Sequence, residues 1–363
     1  MSANFDLSAL ALKAVCPSNE ILYDDKGMPS IMVKIPKMTY AQLGLGSSTA
    51  THPAFIVNGS EVDAIYISKY QNIVQNGRAY SLPGQDPKAN ITFDSALAAC
   101  TAKGAGWHLM SRAEWAMLAL WCKANGTMPK GNNNYGKDTA DSIYQAIPSM
   151  ERDSSNRIQR VATGTGPLSW SHDGTPNGIW DLNGNVNEWV GGIRTVYGEL
   201  QILANNNAAD LNNPQTAAST LWKAIDGTDG SLITPNGNGT TTNSIKLDWV
   251  SSAWKFITGT ISNQEDNYHN CALESVVCDS TICDAAKLLL QALGYFKYDS
   301  TAGAYAGDQI YWNNGNAERS VHCGGTWTDG ASAGVFYSGG NHGRGYSYTN
   351  IGFRSAFVAL PSA

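Results

Sequence analysis

Alternating apolar and polar residues predict β-strands in the first 70 residues of the chain. In IMVKIPKMTY the side chains of Ile31, Val33 and Ile35 occupy every second position, as in a half-buried strand. The segment FIVNGSEVDAIYISKYQ predicts two further strands, at 55–57 and 62–70, because a turn-forming Asn-Gly pair lies between them.

Helical periodicity appears in two later segments. Residues 93–103 are rich in helix formers and stop before Gly104, a residue suited to a helix C-terminus. The sequence SRAE predicts a capping box, with Ser111 as N-cap and Glu114 reaching back to it. Behind it, one helical face carries the apolar residues Trp115, Leu118, Ala119 and Cys122, and the run ends at Gly126. Both helices are interpreted as packing elements, with an active-site role for Glu114 as the alternative.

The segment GIWDLNGNVNEWV, residues 178–190, predicts a tight loop flanked by aromatic residues. Carboxylate and carbonyl oxygens are the ligands that calcium prefers, so one hypothesis is a structural calcium ion at Asn183, Gly184, Val186 and Glu188. The alternative is that the asparagine side chains of this loop bond their own backbone. No other cofactor is required.

Residues 195–305 differ from their surroundings in composition. They contain Asn- and Thr-rich runs, together with one amphipathic helix at about 283–293. Because strand-like residues resume near 308 with QIYWNN, the segment is interpreted as an insertion within one domain that spans 31–363. Residues 1–30 are assigned to an N-terminal extension, and 127–175 to loops.

The most unusual stretch lies at 323–357, CGGTWTDGASAGVFYSGGNHGRGYSYTNIGFRSAF. Gly, Ser, Thr, Asn, Tyr and His fill its middle, a composition that paratopes favour. The part from Gly324 to Arg354 has no Lys, Glu, Gln, Met or Pro. Replacing only the two adenines of an Asn codon yields, among others, Tyr, His, Asp, Ser, Thr, Gly, Ala and Arg, but never Lys, Glu, Gln or Met. The alternative is a glycine-rich surface loop without a special role.

Thirteen residues of the region at about 324–354 fit this codon rule and are the candidate ligand contacts: Thr328, Asp329, Ser332, Tyr337, Ser338, Gly340, His342, Gly343, Gly345, Tyr346, Ser347, Tyr348 and Thr349. Aromatic residues dominate binding hot spots, so Tyr337, His342, Tyr346 and Tyr348 are expected to contribute most. The apolar residues on either side are expected to be buried and to anchor the region, namely Trp327, Val335, Phe336, Ile351, Phe353 and Phe357.

Composition and charge narrow the classes of partner. The chain has 363 residues, 42% of them hydrophobic and 15% charged, and a formal net charge of −6. These values favour a loop-rich α+β or all-β fold and disfavour a nucleic-acid partner. No signal peptide or apolar membrane span is evident, and the localisation is left open. The seven cysteines are too sparse for a disulfide scaffold, and Cys271, Cys278 and Cys283 match no zinc spacing.

Taken together, the motifs MVKIPKMTY, WHLMSRAEW, GIWDLNGNVNEWV, CGGTW and NIGFRSAF occur in an order that resembles the formylglycine-generating-enzyme type of C-type lectin fold. The resemblance runs from about residue 31 to the end, interrupted at 195–305. It implies an irregular, loop-rich α+β domain with two helices packed on antiparallel strands.

Two branches share this framework. In the enzyme branch, a pair of cysteines near the C-terminus binds copper and oxidises a cysteine of sulfatases. The corresponding region here has only Cys323. Soft Cu(I) needs thiolate ligands, so this copper-dependent oxidase is the alternative and no enzyme activity is expected.

The other branch comprises the variable proteins of diversity-generating retroelements, in which adenine-specific errors diversify the 3′ end of the gene. The segment from CGGTW to NIGFRSAF resembles their variable repeat. This resemblance implies a receptor-recognition protein with a hypervariable surface, displayed on a phage or a bacterial surface. Its expected partner is a protein or glycan on a target cell, without insertion into the membrane. A calcium-dependent sugar lectin is a further alternative.

Overall fold

Helices and strands alternate with long irregular segments through residues 3–360, the part of the chain that the computed structural model describes, with side chains from residue 9 onwards. The helices in this part are α1 (Ala3–Val15), α2 (Phe93–Thr101), α3 (Arg112–Asn125) and α4 (Asp284–Ala292). The strands are β1 (Asn19–Tyr23), β2 (Pro29–Pro36), β3 (Ile56–Val57), β4 (Ser60–Glu61), β5 (Ala64–Ser68), β6 (Ile73–Gln75), β7 (Arg78–Tyr80), β8 (Trp107–Leu109), β9 (Asn187–Val196), β10 (Glu199–Ile202), β11 (Lys223–Ile225), β12 (Leu232–Ile233), β13 (Lys246–Val250), β14 (Ala253–Ile257), β15 (His269–Ala272), β16 (Val277–Cys278), β17 (Gln309–Trp312), β18 (Arg319–Gly324), β19 (Gly334–His342), β20 (Ile351–Phe353) and β21 (Ser355–Phe357).

A five-stranded sheet in the order β1-β2-β5-β21-β8 joins the two ends of the chain. β21 lies between β5 and β8, and Ala356 pairs with both Ile67 and His108. β1 adds an antiparallel edge strand to β2. The predicted extension at 1–30 thus contributes β1 and the first two residues of β2 to this sheet; residues 1 and 2 lie outside the described part.

The predicted Asn-Gly hairpin is present. β3 pairs with β4, and Asn58 and Gly59 have φ of 50° and 79°, the left-handed values that a two-residue hairpin turn requires. The predicted strand at 62–70 is shorter than expected. Only Ala64–Ser68 of this segment form a strand, β5, which pairs with β2, and β4 is a separate short strand before it.

Local capping signals place the helices correctly. The hydroxyl of Ser111 accepts from the amide of Glu114, whose carboxylate accepts from the amide of Ser111, and α3 ends at Gly126 with φ of 68°. α2 ends at Thr101, two residues before the predicted end. The Glu114 carboxylate also contacts His108 at 2.8 Å and Asn206 at 3.0 Å inside the protein. These buried contacts agree with the interpretation of α3 as a packing element, in which Glu114 has a structural role.

The larger sheet contains twelve strands and carries the C-terminal region. Its main order is β15-β17-β19-β18-β9-β10-β13-β14-β16, and β20 pairs in parallel with β9. β17 is the strand predicted near residue 308, and α4 is the amphipathic helix predicted at 283–293. The predicted insertion thus supplies strands β10 to β16 to the same sheet.

One hydrophobic core extends through both large sheets. Trp115 of α3 is buried in it and donates its indole N–H to the carbonyl of Val335, 2.7 Å away. The insertion contributes buried residues such as Leu247 and Trp254 to the same core. The C-terminal region therefore begins on rigid, buried structure. None of the helices in the described residues has the length and apolar character that a membrane crossing requires.

Candidate ligand-binding face

The residues expected to anchor the C-terminal region are buried, apart from Phe357, which is half-buried against Trp107. Phe336 packs edge-on against Tyr305 with ring centroids 5.0 Å apart. Gly325 needs to be glycine because its φ is 77° and a Cβ there would lie 2.5 Å from that of Ala333. These buried residues hold both ends of residues 324–354 in place; this stretch, which resembles a variable repeat, is called the variable segment below.

Between these ends, the chain borders a concavity of about 280 Å³. Five of the predicted contacts line it: Asp329, Ser332, Tyr337, His342 and Tyr346. The structure thus brings together residues that are up to 17 positions apart in sequence, since β19 and the loop after it fold back beside β18. The concavity and the adjoining loop at 343–349 are called the recognition face below.

An aromatic row leads from the concavity to its rim. The rings of His342 and Tyr346 stack in parallel with centroids 3.6 Å apart, and the ring of Tyr348 lies 6.4 Å from that of Tyr346. On the inner side, the ring of His322 lies 5.6 Å from that of His342. Tyr346 and Tyr348 are 36% and 56% exposed, so their outer surfaces are open to a partner.

The remaining predicted contacts divide by exposure. Thr328, Gly345 and Ser347 are exposed, while Gly343 and Thr349 are partly exposed. The hydroxyl of Thr328 lies 2.9 Å from that of Thr326, and the carbonyl of Thr349 accepts from Arg160. These residues surround the concavity without lining it.

Two of the predicted contacts, Ser338 and Gly340, are corrected because they lie on the core side of β19. Ser338 is fully buried and accepts from the indole N–H of Trp312. A Cβ at Gly340 would lie 2.9 Å from the same indole ring. Tyr337 lies on the other side of the strand and lines the concavity, although only 6% of its surface is exposed. It therefore forms part of the wall and does not project into solvent.

Electrostatically, the concavity has no cationic side chain at neutral pH. Burial lowers the pKa of His322 to about 3 and that of His342 to about 4, so both imidazoles are uncharged at neutral pH. The lining residues include no Lys or Arg. Asp329 is their one acidic member; burial raises its pKa, and its carboxylate accepts from the amide of Thr326.

Nine lining residues were not predicted as contacts: Asn187, Asn270, Gln309, Tyr311, His322, Thr326, Asn341, Asn350 and Ile351. Asn341 and Asn350 could have been predicted from the sequence, because the codon rule starts from the Asn codon and an unchanged Asn also fits it. Asn270, Gln309 and Tyr311 belong to β15 and β17, which pair with each other at the side of β19. No sequence pattern connects these strands to the variable segment.

The loop predicted to bind calcium is held by protein groups. Both carboxylate oxygens of Glu188 lie 2.6 Å from guanidinium nitrogens of Arg354. The side-chain amide of Gln71 donates to Glu188 and to the carbonyl of Val186. Asn183 accepts through its side chain from Asn133. The oxygens of this loop do not fit a calcium ion in this arrangement, because the guanidinium of Arg354 already supplies the positive charge next to the Glu188 carboxylate.

Cys323 does not fit the paired-thiolate copper site of the enzyme branch. Its thiol is fully buried and accepts from a guanidinium N–H of Arg112 at 3.0 Å. Burial raises the pKa of the thiol to about 11, which disfavours the thiolate that a copper site needs. All seven cysteines are free, and the described residues contain no cluster of three or more His, Cys, Asp or Glu that could hold a metal ion.

Comparison with known proteins agrees with the framework of strands, capped helix and loop. Residues 48–216 match the sulfatase-modifying factor enzyme 1-like domain. The predicted lectin-type α+β fold of this family is thereby confirmed. The matched span contains α2, α3 and residues 178–190, and it ends before the variable segment. No curated protein shows significant similarity to the chain.

Three of the solved structures that the chain matches have low sequence identity to it. Treponema denticola variable protein 1 is 12% identical, with 94% of this chain and 100% of that chain covered and a TM-score of 0.35. PvdO from Pseudomonas aeruginosa is 13% identical, with 94% and 98% covered and a TM-score of 0.34. The Major Tropism Determinant P3c variant is 10% identical, with 94% and 71% covered and a TM-score of 0.32.

Proposed function

We propose that this protein binds a receptor, a protein or glycan on the surface of a target cell, through the recognition face. The observation that carries the proposal is the aromatic row of His342, Tyr346 and Tyr348, which borders a concavity and is anchored by buried residues at both ends. Exposed aromatic side chains supply large contact areas at low entropic cost, as in paratopes.

We also propose that a retroelement diversifies this face and that the protein is displayed on a phage or bacterial surface. Exposed substitutions usually change stability by about 0.5 kcal/mol or less. Replacement at positions such as Tyr346, Ser347 and Tyr348 is therefore compatible with folding. Sequencing the neighbouring DNA tests this proposal. It predicts an imperfect copy of the last codons, differing only at adenines, beside a reverse transcriptase gene; a copy with differences spread over all four bases would contradict it.

Binding rather than catalysis is proposed because the only cysteine of the segment 323–357, Cys323, is sealed beneath Arg112. Incubation with copper and a cysteine-containing sulfatase peptide provides the test. The expected result is no mass change in the peptide, whereas conversion of the peptide cysteine would favour the oxidase.

Receptor binding can be tested with fluorescently labelled protein and a panel of intact bacterial cells in flow cytometry. Combined replacement of Tyr346 and Tyr348 by Ala is expected to abolish binding to the strains that the native protein labels, with little change in melting temperature. Tyr144→Ala is a matched control, because Tyr144 is 54% exposed and lies outside the recognition face. Labelling that survives the double replacement would contradict the proposal.

A further inference from the structure

The concavity has one wall that the variable segment does not supply. Strands β15 and β17 contribute Asn270, Gln309 and Tyr311 to its lining. The amide of Asn270 donates to that of Gln309 at 3.0 Å, and Gln309 donates in turn to the carbonyl of Gly307. This wall therefore presents two amide groups whose orientations are fixed by hydrogen bonds.

An aromatic ring lies beside these amides. Tyr311 lines the concavity and is supported by Tyr268, with ring centroids 4.8 Å apart and an angle of 26° between the planes. On the opposite wall, Tyr346 is backed by His342 in the same way. The second wall also has an amide group, that of Asn341, which precedes His342 in the sequence. Each wall of the concavity thus combines a supported aromatic ring with at least one amide group.

At the inner end of the concavity, His322 has unused hydrogen-bonding capacity. Its side chain is 2% exposed, and Nε2 lies 3.3 Å from the side-chain oxygen of Asn341. Nδ1 has no hydrogen-bond partner among the described residues. Buried polar groups are normally paired, so an orphaned nitrogen in the lining of a pocket points to a hydrogen-bonding ligand.

Charge and size restrict the ligand further. The lining has no cationic side chain at neutral pH, which disfavours phosphates, sulfates and carboxylates. Its volume of about 280 Å³ is near the lower end of small-molecule sites. Amides offer a donor and an acceptor side by side, as neighbouring hydroxyl groups require, and the electron-rich face of a tyrosine ring attracts polarised C–H bonds.

We propose that the concavity binds an uncharged pyranose sugar, the end of a neutral glycan, without calcium. This inference rests on the proposed receptor-binding function and specifies the chemistry of its ligand. The hydroxyl groups of the sugar bond to Asn270, Gln309 and Asn341, and its C–H face packs on the ring of Tyr311 or Tyr346. The amides of Asn270 and Gln309 lie outside the variable segment and stay the same, whereas Asn341 and Tyr346 lie within it. Variation of the segment would therefore change which sugar is preferred, while the ligand would remain an uncharged sugar.

Saturation-transfer NMR with a panel of methyl pyranosides in EDTA tests the proposal. The panel contains uncharged glucosides, galactosides, mannosides and N-acetylhexosamines, with glucuronate and glucosamine as charged counterparts. Transfer is expected to at least one uncharged sugar, to be lost in Asn270→Ala and in the double variant Tyr311→Ala with Tyr346→Ala, and to persist in Tyr144→Ala.

Absence of transfer to every uncharged sugar, preference for the charged ones, or dependence on calcium would overturn the proposal. Failure of the sugar proposal can be distinguished from failure of the proposed receptor binding. Cell labelling that requires Tyr346 and Tyr348, is unaffected by the pyranosides and is removed by protease treatment of the cells would mean a protein receptor. In that case receptor binding stands and the sugar inference is wrong.

Discussion

Arg354 and Glu188 form a two-point ion pair in the interior, with both N–O distances at 2.6 Å and the side chains 0% and 1% exposed. The guanidinium also donates to the carbonyls of Ser68 and Trp180. Arg354 follows β20 directly, so this pair connects the end of the variable segment to the Glu188 loop and to β5. It fixes one end of the recognition face to the core.

Loss of this pair is predicted to be costly. Arg354→Met leaves the Glu188 carboxylate buried without its cation, and breaking a buried pair costs about 3–5 kcal/mol. Urea unfolding measures the change in the free energy of unfolding. Arg157→Ala is the control, because that arginine is 47% exposed in its pair with Asp153 and such pairs contribute about 0–1 kcal/mol. Equal effects of the two replacements would contradict the assigned role of Arg354.

Two glycines of the variable segment are predicted to differ sharply. Gly340→Ala brings a Cβ to 2.9 Å from the indole of Trp312, and overpacking of this kind costs about 1–3 kcal/mol. Gly345→Ala meets nothing within 4 Å and is expected to change stability by about 0.5 kcal/mol or less. Melting temperatures of the two variants test the comparison. A stable Gly340→Ala variant would argue that β19 turns this face outward.

Asp181 gives a pH-dependent prediction. Burial raises its pKa from 3.8 to about 6, opposed by a hydrogen bond from the amide of Gly164 and by Arg354. The folded state therefore holds the proton more tightly, and the stabilisation present below pH 3.8 is lost as pH rises through about 6. Asp181→Asn removes the free-energy cost of ionising this buried carboxyl group and keeps a side-chain oxygen that accepts a hydrogen bond. Asn also tolerates the φ of 63° found there.

The Asp181→Asn variant is thus expected to be more stable than the native protein at pH 7.5, by about 3 kcal/mol, because the pKa is raised from 3.8 to about 6 and each pKa unit corresponds to about 1.4 kcal/mol. The difference should disappear near pH 4. Chemical unfolding at the two pH values provides the measurement. A variant that is less stable at pH 7.5 would mean that the contacts of the ionised carboxylate with Gly164 and Arg354 outweigh the cost of its burial, which contradicts a raised pKa.

Calcium gives a direct test between the sequence-based hypothesis and the contacts of the Glu188 loop. Because Arg354 and Gln71 already bond the Glu188 carboxylate, millimolar calcium or EDTA is expected to leave the melting temperature unchanged. A rise of several degrees with calcium, absent in Glu188→Gln, would instead support an ion at this loop.

Local signals in the sequence were sufficient for the elements whose hydrogen bonds are local. The capping box of Ser111 and Glu114 closes within four residues, and the Asn58-Gly59 turn joins adjacent strands, so both were predicted correctly. The buried anchors of the variable segment, such as Trp327 and Phe353, were also identified by their apolar character.

Long-range pairing could not be predicted in the same way. The codon rule selects Ser338 and Tyr337 alike, but a strand directs neighbouring side chains to opposite faces, and only the sheet determines which face is the core. Asn270 reaches the recognition face through the pairing of β15 with β17, across about 40 residues of chain. From the sequence alone, Glu188 is one of several candidate calcium ligands, because its partner, Arg354, is distant in sequence.

The central claim is that outward side chains of the variable segment are exchangeable while their buried anchors are not. The most direct test is to randomise His342, Tyr346, Ser347 and Tyr348 in one library and Val335, Phe336, Ile351 and Phe353 in another, and to measure the fraction of folded clones by protease-resistant display. Most clones of the first library are predicted to fold and few of the second. Equal folded fractions in the two libraries would contradict the claim.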